Sequence, residues 1–164
     1  MVSPEKLVES LRGHGLRCRV GVLGVPVPLL GTESQIAAAL GVELLDYRER
    51  LLASVPKNSQ FVNVTVVSVF DDLERIANTA TGESCVLISN FDLALGRLGT
   101  DERTTLWRTL MTAFPNRTRA VVLCVPLHED CAFAFPDLDL RRMWRDSERY
   151  ANWPDGRGDG QEPC

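Results

Sequence analysis

The chain predicts a three-layer α/β domain around a mostly parallel sheet. Three observations carry that prediction. Residues 85–88 (CVLI) and 120–125 (AVVLCV) are uninterrupted apolar runs, as expected of strands covered on both faces. Segments with a helical period alternate with the strand-like ones, which suits crossover helices between parallel neighbours. The 164 residues, 45% apolar and 24% charged, suffice for one buried core and not for two.

Each element follows from local chemistry. Pro4 suits the first turn of a short helix beginning near Ser3, with Leu7, Val8 and Leu11 as its apolar face and His14-Gly15 as its end. Arg19–Leu23 reads as a strand. Residues 24–31 (GVPVPLLG) read as a loop, because two prolines remove amide donors and fix φ. Thr32 is a suitable N-cap for a helix over 33–40, and Gly41 a suitable stop. Val42–Leu45 is a short strand, and Asp46 caps a helix running until Pro56. Residues 60–79 keep a helical spacing through Val62, Val66, Val69, Leu73 and Ile76, with an edge strand over 61–67 as the rival.

After the strand at 85–88, Ser89-Asn90-Phe91-Asp92 leaves its carboxyl end. Leu106, Trp107, Leu110, Met111 and Phe114 share one side of a helix over 101–114. The strand at 120–125 is expected to stop at Pro126. A last helix, 138–150, is capped by Asp137 and turns Leu140, Met143 and Trp144 inward. Residues 1–150 thus form a single domain. Residues 151–164 hold Gly, Pro and charge with little to bury and read as a flexible tail.

Composition limits the function classes. Eighteen Lys plus Arg against twenty-two Asp plus Glu leave a net charge of -4, so no general electrostatic footprint for nucleic acid exists. No apolar run reaches membrane-helix length, and the first residues lack the apolar stretch of a secretory signal. Five scattered cysteines without a C-x-x-C pair read as free thiols of a reduced, cytoplasmic protein. His14 and His128 are the only histidines, and His128 with Cys131 finds no partner at metal-site spacing. No metal and no cofactor is expected.

In a parallel sheet the functional crevice lies outside the carboxyl ends of the strands. Those ends are residues 24–31, Asp46, 89–92 and 126–130. Strand, Gly-containing loop and helix over 19–40 follow the order of a P-loop, whose form G-x-x-x-x-G-K-[ST] needs amides, a lysine and a hydroxyl for the phosphates and magnesium. Starting at Gly24, Leu29 falls at the second glycine, Leu30 at the lysine and Gly31 at the hydroxyl, with Thr32 just beyond. No basic residue occurs between Val20 and Tyr47. Each missing charge-assisted bond forfeits about 1.5–3 kcal/mol, which argues against polyphosphate binding. The strand that should end in a magnesium-ordering acid ends in Ser89-Asn90, leaving Asp92 as the one acid that could serve an active enzyme.

The combination of this loop with residues 42–56 (VELLDYRERLLASVP), 86–95 (VLISNFDLAL) and 116–126 (NRTRAVVLCVP) resembles the small AAA-like P-loop proteins of phage-defence clusters, specifically the BREX type 3 P-loop protein family. The likeness spans roughly residues 16–150. It implies a P-loop NTPase-like fold with a degenerate phosphate loop. Of the positions at which the family carries a loop lysine, a threonine, a strand-end acid and a second acid, here Leu30, Gly31, Ser89 and Asp92, only the last keeps its chemistry.

The leading expectation is therefore a non-catalytic, P-loop-like subunit of a larger complex, such as one of antiviral defence, that works through protein partners. The apolar loop at 25–30 could serve as an exposed docking patch or fold over the sheet end as a plug, and self-association is a further option. A second expectation is an ATPase-like switch that uses Asp92 and a remote arginine such as Arg97 or Arg103. A third is weak DNA binding by Arg117, Arg119, Arg141, Arg142, Arg145 and Arg149, three of them at i, i+4 spacing beside Trp144 and Tyr150.

Overall fold

The computed structural model describes residues 1–60, 63–80, 82–114, 118–127 and 135–154. Its elements are α1 (Pro4–Arg12), β1 (Val20–Pro26), α2 (Glu33–Leu40), β2 (Glu43–Asp46), α3 (Tyr47–Ala53), α4 (Val66–Asn78), β3 (Cys85–Ser89), α5 (Asp92–Leu95), α6 (Thr100–Thr112), β4 (Ala120–Leu127), α7 (Leu138–Asp146) and β5 (Tyr150–Asn152). The strands form one sheet in the order β2-β3-β4-β1-β5, and every pairing is parallel.

Helices cover both faces. Leu7, Val8 and Leu11 of α1 pack with Ile36, Ala37 and Leu40 of α2 against Leu23, Leu87 and Val122 of the sheet. The opposite face carries α3 to α7, whose Tyr47, Leu73, Trp107 and Trp144 pack on Val22, Ile88 and Leu123. Trp107 is the hub of the larger core, edge-on to Trp144 at 5.6 Å and to Phe91 at 6.1 Å between ring centroids.

Capping accounts for most element boundaries. The Ser3 hydroxyl accepts from the Lys6 amide at the start of α1. At its end, buried Arg19 donates from Nε to the Leu11 carbonyl at 2.7 Å. Gly41, with φ of 62°, closes α2 in the left-handed conformation that glycine adopts without steric cost. A reciprocal Thr65–Ser68 capping box starts α4 six residues later than the helix expected from residue 60. The rival strand gains nothing, since 63–65 are not in a strand, while 61 and 62 lie outside the described residues.

Two strand limits differ from the sequence reading, and one parity argument explains both. Gly24, Val25 and Pro26 belong to β1 rather than to a loop, and β4 runs through Pro126 to Leu127. Val22 donates to Arg149 and Gly24 accepts from Trp153, so the even-numbered polar groups of β1 face β5. The missing amide of Pro26 therefore points where β5 has already ended. On β4, Ala120 donates to Ser84, so Pro126 directs its missing amide to the β3 side, beyond the last β3 pair at Leu123.

The C-terminal segment also departs from expectation. α7 stops at Asp146, and Tyr150–Asn152 form β5 against β1 instead of a helix end and a tail. Ala151 is fully buried. Residues 155–164, the remainder of the expected tail, lie outside the described residues. Met143, expected inward, is exposed, because only the narrow Leu140–Trp144 face of α7 meets the core.

Candidate functional site: the crevice at the strand ends

β1 and β4 are neighbours, yet the helices after them lie on opposite faces, α2 on one and α7 on the other. The sheet must open between their carboxyl ends at such a switch point. A crevice of about 400 Å³ sits there, lined by Leu30 and Gly31 after β1, Glu33 and Ser34 of α2, Asp46, Ser89, Asn90 and Asp92, and Cys124–Pro126 of β4.

The turn after β1 is built from its own bonds. Val27–Leu29 form a single 3-10 turn. The Leu30 amide donates to the Val27 carbonyl at 3.2 Å, and the Thr32 amide to that of Leu29 at 3.1 Å. Thr32 does not cap α2, for its hydroxyl turns back onto the Leu29 carbonyl at 2.7 Å. With proline at 26 and 28, few amides remain to cradle an anion. Gly24 takes no part in the crevice, and its lack of a side chain serves packing instead. A Cβ there would lie 2.7 Å from Asn152 Oδ1 and 3.2 Å from Leu127 Cδ1.

The floor is acidic. Asp46 accepts the Arg48 amide at 2.9 Å, which caps α3 as its sequence position suggests. The same oxygen accepts from Asn90 Nδ2 at 2.8 Å, joining the ends of β2 and β3. Arg48 lines the crevice but is paired with Asp46 at 3.3 Å. Asp92 opens α5, and burial holds its carboxyl above the ordinary range; its own amide opposes that shift and the Glu33 charge adds to it. Cys124 is raised by burial first, then by the Glu33 and Asp92 charges, and so remains a neutral thiol. Ser89, at the position of the strand-end acid, is buried and directs its hydroxyl to the Leu45 carbonyl.

The rim is apolar. Val27 is 50% exposed and Leu30 41%, while Val25 and Pro26 are buried in β1 and Leu29 packs half-buried against the smaller core. Leu44 and Leu93 are exposed as well. Sequence reasoning located Gly31, Asp46 and 89–92 at this crevice but missed Glu33, Arg48 and Cys124. Glu33 was readable as the first residue of the helix after β1. Arg97 and Arg103 do not line the crevice.

The arginine stripe is divided. Arg119 is buried and paired with Glu43 at 3.1 Å. Arg149 lies beyond the end of α7, donates to the Met111 carbonyl at 2.8 Å and the Cys18 carbonyl at 3.3 Å, and stacks 5.1 Å from the Trp144 ring centre. Both serve the fold. Arg142 and Arg145 are exposed, Arg141 is half-buried, and Arg117 lies outside the described residues, as do His128 and Cys131. Trp144 and Tyr150, the aromatic residues expected beside the stripe, are buried.

Among the described residues no group of three or more His, Cys, Asp and Glu could hold a metal ion, and no helix is long and apolar enough to cross a membrane. Neither a family model nor a curated protein matches the sequence.

Proposed function

We propose that this protein is a non-catalytic, P-loop-like subunit that acts by binding protein partners through the rim of the strand-end crevice. One observation carries the reading: among the described residues the crevice holds Glu33, Asp46 and Asp92 against a single guanidinium, Arg48, already paired with Asp46. A polyphosphate placed there would meet like charge and lose its hydration without compensating cations. The exposed Val27 and Leu30 above it are suited to a protein surface instead. Membership in a phage-defence complex of the BREX type 3 kind is part of this proposal and rests on the segments that resemble that family.

Thermal unfolding with millimolar ATP or GTP and magnesium tests the first half. No shift is expected, whereas a nucleotide at 100 times its Kd would add about 2.7 kcal/mol of stability and raise Tm visibly. Affinity purification from the native host tests the second half. A partner retained by the wild-type chain should be lost by Val27→Asp/Leu30→Asp, whose changes are on exposed side chains. Retention by that variant would refute the rim as the docking surface.

A further inference from the structure

A second surface shares no residue with the crevice and does not depend on the reading given to it. Leu138, Arg141, Arg142 and Arg145 follow i, i+3, i+4, i+7 spacing along α7 and line one groove together with Met1 and Asp146. This is the face opposite Leu140 and Trp144, which hold the helix to the core. Leu138 is 74% exposed, the most open of the large apolar side chains among the described residues. The side chains of Arg142 and Arg145 make no hydrogen bond or ion pair among the described residues.

We infer that this face of α7 docks an acidic protein segment carrying an apolar anchor: carboxylates of the partner pair with Arg142 and Arg145, and a partner leucine or similar side chain covers Leu138. Charge complementarity selects the acidic partner, for the groove sets three guanidiniums against one carboxylate, Asp146, on a chain whose net charge is -4. Arginine is the cation favoured in protein interfaces, where its planar fork donates to both oxygens of a carboxylate at once. The anchor follows from Leu138 and Met1, which offer nothing to a phosphate backbone. Nucleic acid fits less well on two counts. Among the described residues no aromatic side chain lines the groove to stack a base, since Trp144 and Tyr150 are buried. Exposed Asp139, Asp146 and Glu148 also flank the stripe and would repel a long polyanion, while a short segment with few charges avoids them.

The experiment is a fluorescence-anisotropy titration of the full chain with three labelled probes. They are a helical peptide presenting Leu, Glu and Glu at i, i+3 and i+4, the same peptide with Ser for Leu, and a single-stranded oligonucleotide of equal net charge. The first peptide should bind, the Ser peptide about tenfold more weakly, and the oligonucleotide more weakly still. Arg142→Glu/Arg145→Glu should lower affinity for the first peptide by at least about tenfold, and Leu138→Ser by a similar factor. The milder Arg142→Gln/Arg145→Gln pair, expected to keep the wild-type Tm, gives the same ordering should the charge reversal impair folding. Three results would overturn the inference: no binding of the first peptide, equal affinity for wild type and the glutamine pair, or tighter binding of the oligonucleotide, which would make the face a nucleic-acid contact.

Discussion

Asn90 donates from its side-chain amide to Asp46 Oδ1 at 2.8 Å, tying the carboxyl end of β3 to that of β2. The bond depends on backbone geometry, because Asn90 has a φ of 56°, a left-handed conformation that asparagine adopts more readily than most residues. Asp46 uses the same oxygen to cap α3, so one carboxylate organises a strand end and a helix start.

Asn90→Ala should therefore destabilise by about 1–2 kcal/mol, combining the lost hydrogen bond with left-handed strain. Asn90→Gly relieves the strain and removes only the bond, so its urea midpoint should fall between those of the wild type and Asn90→Ala. Identical midpoints for the two variants would show that the backbone conformation contributes nothing.

Gly24→Ala tests whether that glycine serves packing or ligand. The added methyl would press on Asn152 Oδ1, Leu127 and Tyr150, whose hydroxyl lies 3.2 Å from it. A loss of about 1–2 kcal/mol in denaturant unfolding is expected, with the response to nucleotide unchanged. An unchanged midpoint would mean that β5 yields to the methyl without cost.

The two kinds of arginine near the C-terminus should separate cleanly. Arg149→Ala leaves the Met111 and Cys18 carbonyls without their donor and removes the cover over Trp144, at a cost of about 2–4 kcal/mol. Arg142→Ala changes an exposed side chain and should stay within about 0.5 kcal/mol of wild type. Equal effects would contradict the division of the stripe.

The raised carboxyl of Asp92 has a pH consequence. Folded Asp92 holds its proton more firmly than the unfolded chain does, so at neutral pH its ionised form opposes folding. That opposition is absent below the ordinary carboxylate range, where both states are protonated, and is complete above the folded value. Asp92→Asn should raise Tm at pH 7, and the gain should shrink as the pH falls through the mildly acidic range. Scanning calorimetry across that range checks it; a gain independent of pH would assign the effect to something other than ionisation.

Much of this architecture was legible in the one-dimensional pattern. The apolar runs at 85–88 and 120–125 are strands because a segment buried on both faces has no room for polar alternation. Gly41, Asp46 and Asp137 marked helix ends and starts correctly, since capping depends on a few neighbouring atoms. The missing lysine after β1 could be read from the residue order alone, since no basic residue occurs between Val20 and Tyr47.

Other features depended on what lies across the sheet. Whether Pro26 and Pro126 break their strands is decided by where β5 and β3 end, at Asn152 and Ser89, a fact about neighbours 126 and 37 residues away in the chain. Thr32 turned back to Leu29, although its type and place suited a cap. Arg149 and Arg142 look alike in sequence, yet one is enclosed by Trp144, Met111 and Cys18 and the other faces water. Sequence by itself determined the layered parallel fold, the place of the crevice and its shortage of cations, because these follow from periodicity, capping and residue type. Tertiary structure alone decided the strand limits, the fifth strand and which arginines face water, because burial and ladder bonding are properties of a residue's spatial neighbours and not of its own side chain.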